Sequence, residues 1–255
     1  MKKHYCPACE SKLSEEFVID LNICSKCSHI FKNKTVPATH YKTYLNSAHT
    51  TGNKDILKLA HYVADYRYDF VKNFKEKGKL LEVGCGHSHF LDTANKDFEV
   101  SGADISTPLC EDLSKEYQMH NGTPSEIKDL EQYDVICMFH VLEKMNKPIE
   151  ELRQLALHLK KDGVIFIEMP ALMFVGLEFD PRKIYDGLQT QYFNPMSINE
   201  FLKKCGLRIA EQINFWDSDV KSNTLMCLVK DTTDFDNFRA NTFKQLSNGR
   251  ELKWK

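Results

Sequence analysis

Two Cys-x-x-Cys pairs, Cys6-Pro-Ala-Cys9 and Cys24-Ser-Lys-Cys27, stand near the start of the chain. Each pair puts two thiolates on one tight turn, and about fourteen residues separate the turns. Four sulfurs so spaced can close a tetrahedral site, and zinc suits it because it binds soft thiolate well and accepts that geometry. A full sulfur shell leaves no position for water or substrate, so the expected metal is structural. It would supply folding free energy to a segment too small to own a core. The competing readings are a redox pair or unligated thiols, and His4 and His29 lie close enough to act as substitute ligands. The segment Leu13–Leu21 is expected to form the hairpin of a zinc ribbon. The other five cysteines (Cys85, Cys110, Cys137, Cys205 and Cys227) are scattered through apolar segments and read as small buried hydrophobes in a reducing cytoplasm.

A second chemical centre is expected around Leu80-Leu-Glu-Val-Gly-Cys-Gly-His-Ser-His-Phe-Leu91. Gly84 and Gly86 fall between a strand and a helix, where backbone must approach a ligand closely. Asp104 follows twenty residues after Gly84, at the end of the next strand, where a carboxylate can accept from both hydroxyls of a ribose. A dinucleotide fingerprint would need a third glycine where His89 stands. His140, just past the fourth expected parallel strand, is the candidate base, because imidazole titrates in the useful range. Glu143 reads as a carboxylate at a helix start.

The elements that must carry these residues follow from periodicity. Asn53–Phe74 has apolar residues at Ile56, Leu59, Val63, Tyr66, Phe70 and Phe74, one face of an amphipathic helix. Beyond it, strands at Lys79–Val83, Glu99–Ala103, Asp134–Phe139 and Val164–Met169 alternate with helices at Ser88–Asn95, Pro108–Tyr117 and Pro148–Lys161. In the last of these helices Leu159 is expected inward and Gly163 past the end. Ser197-Ile-Asn-Glu200 has the pattern of a capping box, and Leu207–Phe215 and Asn223–Lys230 are expected to pair antiparallel. Such alternation predicts an α/β fold with a parallel sheet covered on both faces. Hydrophobic residues at 42% and charged residues at 27% exclude general disorder. The longest apolar runs fall short of a bilayer span, and Lys2 and Lys3 have no apolar run behind them, so neither a membrane segment nor a secretory signal is expected. A net charge of −2 gives no bulk attraction to nucleic acid.

Taken in order, Glu82-Val-Gly-Cys-Gly86, Gly102-Ala-Asp104, Asp134-Val-Ile-Cys-Met-Phe-His-Val-Leu-Glu143 and Leu159–Pro170 resemble the class I S-adenosylmethionine-dependent methyltransferases. The resemblance implies a Rossmann-like seven-stranded sheet with its last strand antiparallel, behind a small N-terminal zinc ribbon. It implies that Glu82, Gly84, Cys85 and Gly86 line the methionine part of the cofactor, that Asp104 holds the ribose and that Ile105 packs on the adenine. Thr123 and Pro124 would border the adenine edge, with Phe139 and His140 also at the cofactor. Ser88, Thr123 and Lys144 depart from residues frequent in that family. The N-terminal segment, with Tyr41 and Tyr44, is similar to zinc-ribbon methyltransferases of sugars and surface-glycan precursors. The implied partner is a small molecule, sugar-linked or phosphorylated and methylated at oxygen, with nitrogen or carbon as the alternatives, acted on in the cytoplasm with S-adenosylmethionine and a structural zinc. The connection from Pro170 to Pro195 would select it, through Asp180, Lys183 and, above all, Arg182, Tyr185 and Tyr192. An RNA methyltransferase and a binding module without turnover are the alternatives. The expected domains are a ribbon at 1–35, a connector and helix at 36–77, a methyltransferase domain at 78–232 and a helix or tail at 233–255.

Overall fold

The computed structural model describes residues 5–13, 21–32, 35–37, 54–170, 188–216 and 222–238. In chain order the elements are β1 (Leu21–Ile23), β2 (Ile30–Lys32), α1 (Lys54–Lys72), β3 (Gly78–Val83), α2 (His89–Ala94) and β4 (Phe98–Asp104). Next come α3 (Thr107–Leu113), β5 (Gln118–Asn121), β6 (Tyr133–Phe139), a 3-10 turn at Leu142–Lys144, α4 (Pro148–Leu157) and β7 (Leu159–Pro170). The last are β8 (Gln191–Tyr192), α5 (Pro195–Lys204), β9 (Leu207–Trp216) and β10 (Ser222–Lys230).

Seven strands form the main sheet in the order β5-β4-β3-β6-β7-β10-β9. The pairs from β5 to β7 are parallel, and β10 is antiparallel to both β7 and β9, as expected of the last strand. The central strands carry uninterrupted apolar runs because both faces are covered: Val135–Met138 and Val164–Ile167 are inaccessible to solvent. Strand order reverses at β3, whose neighbours are β4 and β6. The crevice outside the carboxyl ends of β3 and β6 is where open sheets of this kind bind ligands.

Several elements differ from expectation for local reasons. α4 ends at Leu157, and Leu159 is the first residue of β7, registered against Tyr133; its burial comes from the sheet and not from the helix. α3 stops at Leu113, and the polar segment after it forms the edge strand β5, whose mixed exposure hides it from a hydrophobicity pattern. α5 begins two residues before the Ser197 box. Asn194 caps it by accepting from the Met196 and Ser197 N–H groups, Ser197 accepts in return from the Asn194 N–H, and Pro195 occupies the first turn. In α1 the apolar face is shifted: Ala64, Phe70, Val71 and the following Phe74 are buried, while Leu59 is exposed. Phe70 and Phe74 meet Phe166 of β7 with ring centroids 5.7 and 5.6 Å away, so α1 packs on the face of the main sheet. Phe235 and Phe238, at the start of the expected C-terminal helix, also pack on this face.

Residues 14–20 of the segment expected to form the N-terminal hairpin, Leu13–Leu21, lie outside the described residues. β1 and β2 flank the second cysteine pair, with Leu21 opposite Lys32, and β8 adds a third strand through Ile30–Tyr192 and Phe31–Gln191. This small N-terminal sheet is therefore completed by a residue pair about 160 positions later in the chain. Tyr41 and Tyr44 lie outside the described residues, as do His4 and the substrate candidates Asp180, Arg182, Lys183 and Tyr185.

Candidate functional site

β3 ends in a turn that only glycine can make easily. Gly84 has φ +72°, and a Cβ there would lie 2.4 Å from Val141 Cγ2; Gly86 has φ +50°, and its Cβ would face open space. Gly84 N–H donates to Ala103 O at 2.7 Å, which ties the turn to β4. Ser88, standing where a third glycine is frequent, adopts the left-handed conformation too, at φ +65°. It keeps the backbone shape of the glycine and adds a hydroxyl that donates to Asp92 Oδ1 at 3.1 Å. Cys85 is buried, its Sγ beside the position a Gly102 Cβ would take, so it fills a gap between β3 and β4.

Two buried carboxylates face this turn from neighbouring strands. Asp104 Oδ2 accepts from Gly86 N–H at 3.2 Å and Oδ1 from Ser106 N–H at 2.8 Å. Burial raises its pKa, against the pull of those donors and of His87. Each oxygen keeps a further lone pair for a hydroxyl. Burial pushes Glu82 up to about 8, with Asp104 and Asp92 adding to the shift and Arg67 opposing it. Its Oε2 is a buried polar atom without a hydrogen-bond partner among the described residues. A cation-bearing, hydroxyl-bearing ligand would satisfy both acids, so the cradle fits the methionine and ribose parts of S-adenosylmethionine. Ile105 is half-buried beside Asp104. Thr123 and buried Pro124 lie in the turn after β5, held because Glu151 of α4 accepts from Ser125 N–H at 2.8 Å and Ser125 Oγ at 2.9 Å. Sequence reasoning missed Glu151. Phe139 is covered by Arg67, 4.4 Å above its ring, and by Phe90, so it supports the crevice from beneath.

His140 is held at φ +56°, a conformation rare outside glycine and one that surrounding structure must impose. Its Nε2 lies 2.8 Å from Glu168 Oε1, and its Nδ1 lies 3.6 Å from Glu143 Oε1. Arg67 of α1 grips Glu168 from the other side, with Nε 2.7 Å from Oε2 and Nη2 3.0 Å from Oε1. Burial lowers the His140 pKa, but the two carboxylates outweigh it and bring it up to about 9. Burial raises Glu168, and His140 with Arg67 outweighs that and brings it down to about 2. At neutral pH the imidazole is therefore charged and both ring nitrogens face acids. The two acids hold the ring in one orientation and favour its charged form. Glu143 is buried, with one carboxylate oxygen lacking a partner among the described residues. Arg67 and Glu168 were also missed, although an acid inside the apolar run Val164–Met169 is itself a signal, since such a charge survives only if paired.

The four cysteine sulfurs converge within 4.8 Å of one another, with Cys6–Cys27 and Cys9–Cys24 each at 3.7 Å. A tetrahedron with metal–sulfur bonds of about 2.3 Å has edges of about 3.8 Å, so the donor set fits zinc. Ala8 N–H donates to Cys6 Sγ at 3.4 Å, and Ser11 Oγ lies 3.0 and 3.2 Å from Cys9 and Cys24 Sγ, partners suited to thiolate charge. His29 is not needed as a ligand; its Nε2 lies 3.0 Å from Gln191 Oε1 and its ring packs on Phe193. Tyr192 is buried against Leu21 and Ile30 in a small cluster of its own, its hydroxyl directed to Gln189 O.

Comparison with known proteins adds to this geometry. A family described as a methyltransferase domain matches residues 56–233, beginning inside α1. A ubiquinone biosynthesis O-methyltransferase from Haemophilus ducreyi is 26% identical over 129 residues, covering 43% of this chain and 54% of that protein. The chain thus spans about half the length of the curated relative it matches. Magnesium protoporphyrin IX methyltransferase from Synechocystis PCC 6803, solved with bound S-adenosylhomocysteine, superposes with a TM-score of 0.57 at 15% identity, over 76% of this chain and 95% of that one. An S-adenosylmethionine-dependent methyltransferase from Clostridium acetobutylicum gives 0.51 at 9% identity, over 75% and 98%. At such identities the structural likeness speaks for the fold alone.

Proposed function

The chain belongs to the class I S-adenosylmethionine-dependent methyltransferase family, and from that premise we propose that it moves the donor's methyl group onto an oxygen of a small molecule. The observation that carries this is the cradle of Glu82, Gly84, Gly86 and Asp104: two buried acids and two left-handed glycines at the switch point of the sheet. When bound, the donor supplies a methyl carbon already activated by its sulfonium. Asp104 accepts from the ribose hydroxyls, and Glu82 takes the ammonium side, where a nearby cation brings the carboxyl back toward its ionised form. The remaining task is alignment of the acceptor, which contributes more than proton removal: effective molarities correspond to about 7–11 kcal/mol, against about 10²- to 10⁴-fold for a general base. His140, fixed between Glu168 and Glu143, is the polar group at the acceptor side of the crevice. Its charge favours an acceptor oxygen that enters the transfer already ionised, because a nearby cation stabilises that anion until the new oxygen–carbon bond consumes its charge.

The acceptor is sugar-linked or phosphorylated in this reading, supported by the similarity of the ribbon segment to glycan-associated methyltransferases and by Arg182 and Lys183 in the connection before β8. The four cysteines hold zinc, and the working compartment is the cytoplasm. The test is methyl transfer from radiolabelled S-adenosylmethionine to a panel of sugar nucleotides, phosphorylated sugars, simple phenols and structured RNA. Turnover on the sugar-linked members supports the assignment. Turnover on RNA with a steep salt dependence would replace it, and saturable cofactor binding without turnover on any class would make the protein a binding module.

A further inference from the structure

The cysteine knot and the crevice share a set of hydrogen bonds. The second knuckle is closed by Ser28 N–H to Cys24 O at 2.8 Å and Cys24 N–H to His29 O at 2.9 Å, and β2 leaves it directly. From this side, Lys32 N–H donates to Thr190 O at 2.9 Å, His29 Nε2 lies 3.0 Å from Gln191 Oε1, and Asn194 Nδ2 donates to Ser28 O at 2.7 Å. The same residues reach the other way, to the turn after β6. Thr190 N–H donates to Glu143 O at 2.8 Å, Thr190 Oγ1 to Met145 O at 3.0 Å and Gln191 Nε2 to Met145 O at 2.9 Å. Thr190 and Gln191 are wholly buried. Each therefore has one end on the ribbon and the other on the turn that carries Glu143, which faces His140.

We propose that Gln191 and Thr190 are positioning residues that transmit the geometry of the metal-filled knot to Glu143 and His140, so that metal loading sets the acceptor end of the crevice and leaves the donor end alone. The strain at His140 gives the coupling its purpose, because a non-glycine residue at positive φ keeps that conformation only while its surroundings hold it. His140 is tethered on one side by its N–H to Glu168 O, within the sheet, and on the other by the turn that Thr190 and Gln191 grip. The donor end has separate supports: Gly84 hangs from Ala103, and Asp104 is fixed by Gly86 and Ser106. A change in the N-terminal hairpin thus reaches His140 through a short set of buried hydrogen bonds, whereas the same turn meets the cradle through packing of Val141 beside Gly84, and the Asp104 carboxylate bonds to Gly86 and Ser106. The inference rests on the methyltransferase reading only where a rate is measured.

The test uses the full chain with three readouts: affinity for S-adenosylhomocysteine by calorimetry, the His140 ring signals by NMR, and steady-state methyl transfer. The His140 signals are identified among the ten histidines by their loss in His140→Gln. Gln191→Leu and Thr190→Val are compared with wild type, and zinc-loaded wild type with protein stripped by a chelator. The expected result is that both substitutions and stripping move the His140 signals in the same direction while S-adenosylhomocysteine binding stays unchanged. kcat should fall about 10- to 100-fold, the size of an error in alignment, and restoring zinc to the stripped protein should restore the signals. His140 signals that stay in place after stripping or in folded Gln191→Leu overturn the relay. So does stripping that abolishes S-adenosylhomocysteine binding, since the metal would then hold the whole domain. Wild-type protein that never binds S-adenosylhomocysteine would instead remove the methyltransferase reading, and the NMR comparison would still judge the relay.

Discussion

Replacing Glu168 by Gln tests the charge network at the crevice most directly. Glu168 sits in β7 with its side chain 2% exposed, holding Arg67 through two bonds and His140 through one. Gln preserves the shape but removes the negative charge between the two cations, and its amide NH2 would stand where Oε2 now accepts from Arg67 Nε, leaving both cations poorly paired in a low-dielectric site. Breaking a buried pair from one side costs about 3–5 kcal/mol. The rise of His140 from 6.5 to about 9, net of the burial that opposes it, has its cause in the same Glu168 together with Glu143 and points the same way. A loss of about 3 kcal/mol in a domain of this size lowers Tm by about 6–12 °C. The pH dependence follows from the two shifts. The raised His140 contributes stability that is full below 6.5 and fades as pH rises through about 9. The lowered Glu168 contributes stability that is full above 4.5 and fades as pH falls through about 2. The gap between wild type and Glu168→Gln should therefore be widest between pH 4.5 and 6.5 and narrow above pH 9, where only the Arg67 share survives. Urea titrations at pH 6 and pH 10 measure the gap, and NMR titration follows His140, whose midpoint should move down toward the ordinary imidazole value. An equal gap at both pH values, or an unmoved midpoint, refutes the network.

Asp104→Ala should weaken S-adenosylhomocysteine binding by about 10- to 100-fold, the scale of hydrogen bonds to a charged group; unchanged affinity in calorimetry would mean that the ribose sits elsewhere. Gly84→Ala should abolish binding and lower stability by about 2–4 kcal/mol, because it adds left-handed strain to a contact of 2.4 Å with Val141; a denaturant melt checks it. Metal analysis should find one zinc per chain, lost in Cys6→Ser, and chelation should lower Tm in wild type while leaving that of the variant unchanged. Tyr192→Phe should leave KM for the acceptor as in wild type, since the side chain is buried against Leu21 and Ile30 with its hydroxyl 3.5 Å from Gln189 O; a raised KM would return Tyr192 to the acceptor surface.

The parts of the fold that could be read in advance are those written in local pattern. The buried runs of β6 and β7 are apolar because both faces are covered, and the Gly84–Gly86 turn shows itself through residues that tolerate positive φ. The four thiols announce their site by spacing alone. What was misread involves competition between local and distant demands. Leu159 fits a helical face and a strand equally well, and its register with Tyr133 decides for the strand. β5 exists because β4 offers an edge, and nothing in Gln118–Asn121 itself requires a strand.

By itself the sequence determined the α/β class, the donor cradle from Glu82 to Asp104 and the thiol set, since periodicity, turn chemistry and ligand spacing act within a few residues. Only the tertiary structure decided the charge on His140, which depends on Arg67 from α1, Glu143 from the turn and Glu168 from β7. The same holds for the third strand of the ribbon, which Gln191 and Tyr192 supply from more than 150 residues away. Pairings across such distances depend on which surfaces the folded sheet brings together, because neither partner carries a local mark of the other.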